Sequence, residues 1–293
     1  MSLARKVAGA TVNVAALGAL SCLLVAPRRS ADVDRRWKQF RAHRYAHRGL
    51  HDAAAGVPEN SLLAFRRARE AGYGAELDVH LTADGKLVVI HDADLARVTG
   101  REGVVEDLTL EELGTYRLQG TDERIPTLGE VLRLWETAGD GLPAPLIVEL
   151  KVERRNWAEL CERTLDELDR HPGLRYVIES FDPRALMWLR RHRPEVIRGQ
   201  LAEDFMSHDD ATYLSTPVRL ALSGLLDNVA TRPDFVAYRF EDRRRPGVAL
   251  CRALGGRPVY WTISSADEML DSEMEGAPII FEGFRPRPSS TIA

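Results

Sequence analysis

The run Gly74 to His80, G-A-E-L-D-V-H, decides the fold. Its residues alternate, and the period of two puts Glu76 and Asp78 on one side of a strand. Carboxylates pointing inward from a barrel strand are costly unless paired or bound to a cation. Working outward, seven more β-like runs lie at 43–47, 145–150, 175–179, 196–201, 234–238, 258–263 and 278–281. Amphipathic segments at 61–71, 128–138, 156–170, 183–192, 211–228, 242–253 and 265–273 separate them, the first capped from Asn60 or Ser61. Alternation of this kind argues for an α/β parallel sheet, and about eight repeats argue for a closed (β/α)8 TIM barrel. The region 81–126 breaks the rhythm. Asp84-Gly85 reads as a hairpin turn between 78–82 and 86–90, a short helix follows at 109–117, and the whole reads as a small insertion after strand 2.

Chemistry in such a barrel sits at the C-terminal ends of the strands. His47, Glu76, Asp78, Glu149 and Lys151 all fall at or just beyond those ends. Glu149 and Lys151 share one parity, as Glu76 and Asp78 do. His80 has the parity of Glu76 and Asp78 and is expected to pack beneath the insertion.

At 293 residues the chain accommodates one barrel, and a formal net charge of −4 gives no electrostatic case for nucleic acid. Three cysteines, Cys22, Cys161 and Cys251, make no CxxC pair, so neither a disulfide framework nor a zinc site is expected. Residues 7–27 carry no charge, and as a helix they would rise about 31 Å, enough to cross a membrane. We read residues 1–29 as an N-terminal transmembrane anchor, with a cleaved signal segment as the alternative. Residues 30–42 read as a basic juxtamembrane linker and 43–288 as the barrel. The excess of Lys and Arg after the apolar run leans the barrel to the cytoplasmic side. Arg-rich patches at 190–193 and 243–245 read as solvated helix faces.

The motifs H-R-G (His47 to Gly49), P-E-N-S (Pro58 to Ser61), E-L-D-V (Glu76 to Val79), V-V-I-H-D (Val88 to Asp92), I-P-T-L-G-E-V-L (Ile125 to Leu132), E-L-K (Glu149 to Lys151), E-S-F (Glu179 to Phe181) and W-T (Trp261, Thr262) occur in one order. In combination they resemble the glycerophosphodiester phosphodiesterase family, from Tyr45 to about Pro286. The resemblance implies a TIM barrel that hydrolyses glycerophosphodiesters to sn-glycerol 3-phosphate and an alcohol with a divalent cation, Mg²⁺ or Ca²⁺. It implies Glu76, Asp78 and Glu149 as metal ligands, His47 and His91 as catalytic histidines, and Arg48 and Lys151 as phosphate contacts. The chain departs from the family pattern in its last strand, A-P-I-I-F-E-G (Ala277 to Gly283), and in the I-S-S that follows W-T.

The residue types suit that chemistry. Three carboxylates hold one hard cation; an arginine fork binds non-bridging oxygens, with a lysine as a point charge; and imidazoles act as general base and acid. Glu59 is expected to orient Arg48, Asp92 to hold His91, and Asn60 to cap a helix or touch phosphate. Trp261 is expected to stack on glycerol at the barrel mouth or to lie in the core. A salt-bridge network among the acids and Arg48 and Lys151 is the structural alternative. Two other functions compete. One is a phospholipase D-type hydrolase of lysophospholipids, which a stripe of Leu214, Val218, Leu222 and Leu226 on helix 211–228 would suit. The other is a non-catalytic binding barrel.

Overall fold

The computed structural model describes residues 18–136, 143–208 and 213–292. Nine strands appear there: β1 (Tyr45–Ala46), β2 (Gly74–Leu81), β3 (Leu87–Val89), β4 (Leu146–Leu150), β5 (Tyr176–Ser180), β6 (Arg198–Ala202), β7 (Phe235–Arg239), β8 (Pro258–Ile263) and β9 (Ile279–Phe281). Their order is β1-β9-β8-β7-β6-β5-β4-β2-β3, and β1 also pairs with β2. All pairings are parallel except β2 with β3. Eight strands therefore close on themselves and the ninth hangs from β2. That is the expected (β/α)8 barrel with its insertion.

The strands are apolar runs because helices cover their outer face while other strands fill the inner one. The Leu62–Glu70 helix starts where the Ser61 hydroxyl accepts from the Ala64 amide, and the Pro183–His192 helix starts at Asp182 with proline in its first turn. Gly199 on β6 shows why the barrel floor needs one missing side chain. A Cβ there would sit 2.1 Å from the Phe235 ring, which occupies that space. The insertion has its own small core of Val88, Ile90, Leu95, Val98, Val105, Leu113, Tyr116, Leu118 and Ile125. Its hairpin turns at Asp84-Gly85, where the Thr82 hydroxyl donates to Asp84 Oδ1 at 2.6 Å.

The segment before β1 differs from the sequence reading. Residues 31–40 form a helix whose Val33, Trp37 and Phe40 are buried among Tyr45, Ile147, Val177, Phe235 and Val259 inside the barrel's lower end. Trp37 stacks on Phe235 at 5.3 Å and Phe40 on Tyr45 at 4.9 Å. Its basic residues lie on the outer side while every third or fourth residue is apolar, so it is a plug for the barrel floor rather than a linker. Residues 1–17, which include most of the expected membrane anchor, lie outside the described residues. Residues 18–25 are helical, and Asn228 Nδ2 ties the carbonyl of Val25 to the barrel at 2.9 Å. Among the described residues no helix is long and apolar enough to cross a membrane, so the expected transmembrane helix is not found there.

The stripe expected on helix 211–228 is also broken. Residues 211 and 212 lie outside the described residues, and the helix runs only Thr216–Ser223 before Leu225 turns at a positive φ. Leu214 and Leu222 pack on the core while Val218 and Leu226 are exposed. Arg243, expected in solvent, is buried with its guanidinium over the Phe240 ring at 3.6 Å.

Candidate active site

At the end of β1 the chain turns sharply through His47-Arg48-Gly49. Arg48 has φ 52° and Gly49 φ 79°, and a Cβ on Gly49 would lie 2.9 Å from the Ala64 backbone. The turn aims the Arg48 amide at Glu76, to which it donates at 3.0 Å. The Arg48 guanidinium donates to Glu59 Oε1 at 2.8 Å and lies 3.6 Å from Asp78. Glu59 is thus the carboxylate that holds the Arg48 side chain. Asn60 caps nothing: its Nδ2 donates to Asp78 Oδ2 at 2.8 Å, and Ser61 is the helix cap.

Glu76, Asp78 and Glu149 converge, each offering an oxygen within 4.8 Å of the others. Parallel pairing explains it. Asp78 on β2 is in register with Glu149 on β4, and Glu76 lies two residues earlier on the same inner face. All three are buried. Burial, and then the charges of Asp78, Glu149 and Glu179, raise the Glu76 carboxyl well above the usual carboxylate range. Burial works against Asp78 too, but Lys151, His91 and Arg48 outweigh it and hold Asp78 well below that range. Glu149 is raised, chiefly by burial. Lys151 Nζ bridges Glu149 Oε1 at 2.7 Å and Asp78 Oδ1 at 3.0 Å. Glu76 Oε1 is buried with no hydrogen-bond partner. A compact set of hard oxygen donors, with Glu76 Oε1 and Asp78 Oδ1 both lacking a hydrogen bond, fits a divalent cation.

Each imidazole is held by a carboxylate at its Nδ1. His47 meets Glu282 Oε2 at 2.8 Å, leaving Nε2 on the triad side, 4.0 Å from Glu76. His91 meets Asp92 Oδ1 at 2.6 Å. Both rings share the field of Asp78, which supports positive charge on His47 and is itself stabilised by His91. Both histidines therefore lie within electrostatic reach of one carboxylate cluster. His80 lies under the insertion, its Nδ1 meeting Glu106 Oε1 at 2.7 Å and its Nε2 the His91 carbonyl at 3.1 Å. Trp261, on β8, is edge-on to Phe181 at 5.7 Å and packs against the apolar cluster that includes the floor helix, with its indole nitrogen buried and without a hydrogen-bond partner.

Three participants escaped sequence reasoning. Glu282 sits in the F-E-G that departs from the family pattern, yet it holds His47 and lies 3.6 Å from His51. Arg97, on the insertion, pairs with Asp92 and with Glu59 at 2.7 and 3.0 Å, so His91, Asp92, Arg97, Glu59 and Arg48 form one chain of contacts. Glu179 on β5 is in register with Glu149 and almost fully buried, with Oε2 unpartnered. Its place in E-S-F, with strand parity, was the available signal.

Comparison with known proteins points to one family. A model of the glycerophosphoryl diester phosphodiesterase family matches residues 47–280. A glycerophosphodiester phosphodiesterase of Caldanaerobacter subterraneus subsp. tengcongensis is 50% identical over 170 residues, 53% of this chain and 65% of that relative. One from Bacillus altitudinis is 33% identical over 182 residues, 59% of this chain and 71% of the relative. Among solved structures, the glycerophosphodiester phosphodiesterase of Thermotoga maritima superposes with a TM-score of 0.60 at 26% identity, covering 83% of this chain and 95% of that one. An Oleispira antarctica phosphodiesterase in complex with the product sn-glycerol-3-phosphate has a TM-score of 0.66 at 24% identity, covering 82% and 92%, and shares the fold.

Proposed function

This chain belongs to the glycerophosphoryl diester phosphodiesterase family, and we propose that it hydrolyses glycerophosphodiesters to sn-glycerol 3-phosphate and an alcohol with the help of one divalent cation. The observation that carries this reading is the convergence of Glu76, Asp78 and Glu149 between two carboxylate-held imidazoles. Those three residues would hold the ion, Mg²⁺ or Ca²⁺. When bound, it supplies positive charge against the phosphoryl oxygens.

The remaining roles fall to side chains. Arg48, already turned inward by Glu59, offers its guanidinium fork to the non-bridging oxygens. Lys151 adds a point charge once the ion shares its carboxylate partners. His47 and His91 form the base and acid pair. With Nδ1 committed to a carboxylate, each presents Nε2 to substrate in a fixed orientation. One ring removes a proton from the attacking hydroxyl and the other protonates the departing alkoxide; water attacks directly, or the glycerol hydroxyl attacks first and water then opens the cyclic phosphate so formed. Trp261 and Phe181 give the glycerol an apolar wall.

The test is turnover of glycerophosphocholine and of lysophosphatidylcholine by the purified chain with Mg²⁺, Ca²⁺ or Mn²⁺, with products identified. Release of sn-glycerol 3-phosphate from the first, abolished by EDTA and restored by one cation, is expected. Release of choline from the lysolipid alone would instead mark a phospholipase D-type enzyme. No turnover of any diester, with the ion bound, would leave a binding barrel.

A further inference from the structure

At the end of the barrel opposite the carboxylate triad, four arginines surround one depression. Arg28, Arg190, Pro194, Arg198 and Arg232 line a cavity of about 300 Å³. These arginines come from four separate places. Arg28 precedes the floor helix, Arg190 lies in the last turn of the Pro183–His192 helix, Arg198 opens β6, and Arg232 ends the Asn228–Thr231 helix. Sequence position therefore gives no hint that they meet.

Arg198 forms the floor and is 1% exposed. Its Nε and Nη2 donate to the carbonyls of Thr231 and Arg232 at 3.1 and 2.8 Å. Its Nη1 is buried without a hydrogen-bond partner, 3.8 Å from Asp234 Oδ2. Arg28 Nη1 donates to the Pro194 carbonyl at 2.6 Å and lies 3.6 Å from Asp234 Oδ1. Arg190 donates to the Ala230 carbonyl at 2.6 Å, and Arg232 to those of Leu23 and Ala26 at 3.1 and 2.8 Å. A guanidinium carries five N–H groups, so each keeps donors in reserve. Asp234 is the carboxylate paired with Arg28 and Arg198, and the charge of Arg257 also reaches it. Burial, with Arg28 and Arg190 adding repulsion that Asp234 only partly offsets, brings Arg198 down to about 10. Positive charge is in excess here, and one buried donor is unused.

We propose that this depression is a binding site for a phosphate group, with Arg198 Nη1 at its floor and Arg28, Arg190 and Arg232 around its rim. Planar guanidinium forks match the paired oxygens of a tetrahedral oxyanion, and a doubly charged group relieves most of the excess. The phosphate is that of a soluble phosphate compound or of a lipid headgroup. Arg232 also holds the carbonyls that end the helix at 18–25, so occupancy there would brace the entering chain.

The full chain carrying Arg48→Gln, with EDTA present to weaken phosphate binding at the barrel mouth, is titrated calorimetrically with inorganic phosphate and melted with and without it. Phosphate is expected to bind and to raise Tm. Adding Arg28→Gln and Arg190→Gln should weaken binding by about tenfold or more and remove the rise. Should the double substitution not fold, Arg190→Gln alone, at an exposed helix end, should still weaken binding several-fold. No phosphate-dependent heat or Tm rise, or a rise indifferent to Arg190, overturns the site. Co-sedimentation with phosphatidylcholine vesicles, with and without phosphatidylglycerol, separates the sources. Extra binding to the anionic vesicles that Arg28→Gln and Arg190→Gln abolish assigns the lipid headgroup; phosphate binding without it assigns the soluble one.

Discussion

Glu282→Gln tests the active-site reading most sharply, because it changes one charge and almost no shape. Glu282 holds His47 Nδ1 at 2.8 Å, and burial alone would push that imidazole below its ordinary pKa. Glu282 opposes the effect through its hydrogen bond and its charge. A hydrogen bond to a charged group contributes about 1.5–3 kcal/mol. The Glu282 side chain is 40% exposed, so water leaves roughly 1 kcal/mol of it. At 1.36 kcal/mol per unit, the His47 pKa should fall by a little under about one unit. The sign is then decisive. If His47 is the base, the acid limb of kcat/KM against pH moves to lower pH; if it is the acid, the alkaline limb moves to lower pH and activity near neutrality falls. The amide also holds the ring less firmly, and about 10- to 100-fold in kcat should be lost, the usual scale for a group behind a functional histidine. Steady-state kinetics across the pH range, with ion saturating, reads both effects. Two unmoved limbs with kcat within about twofold of wild type would refute the role given to His47 and its partner.

His47→Ala and His91→Ala should each lower kcat by about 10²–10⁴ with KM little changed, and full activity in either removes that ring from the mechanism. In EDTA, urea unfolding should show stability falling as pH rises above the ordinary glutamate range. Glu76 and Glu179 are raised by burial and by their carboxylate neighbours, so above that range the folded chain keeps protons the unfolded chain releases. Glu179→Gln should flatten the slope, and an unchanged slope would show that Glu179 ionises without cost. Asp78, held low, loses its contribution only at the acid end. Trp37→Ala should cost about 3–5 kcal/mol in denaturant unfolding, since the ring is buried against Phe235. A loss under about 1 kcal/mol would mean the 31–40 helix is not part of the barrel core.

What was legible in the sequence was whatever repeats or alternates locally. The eight barrel strands follow from apolar runs of the right length, and Glu76, Asp78 and Glu149 follow from parity on two of them. The Asp84-Gly85 turn carried its own chemistry. Contacts between distant parts of the chain were not legible. Glu282 meets His47 across 235 positions, and Arg97 reaches Glu59 across 38. Neither carries a local mark that separates it from a surface charge. The floor helix was missed for a different reason. Its basic residues dominate the composition of 28–42, but Val33, Trp37 and Phe40 recur at helical spacing, and that period decides burial.

Under the proposed function, the insertion is better regarded as half of the catalytic centre than as an appendage. A barrel strand delivers His47 from β1, but His91 lies beyond the hairpin that hangs from β2. Holding an imidazole there requires a rigid support, and the insertion supplies it in two ways. Its separate apolar core fixes its own shape. His80, which leaves β2 on the side of Glu76 and Asp78, reaches both Glu106 and the His91 carbonyl, so the strand that bears two of the triad carboxylates also pins the backbone of the second histidine. Arg97 then joins Asp92 to Glu59 and so to Arg48. The spacing between the carboxylate triad, Arg48 and the two imidazoles is therefore set by one connected set of hydrogen bonds and ion pairs, which is what in-line chemistry at a single phosphorus would require under the proposed function.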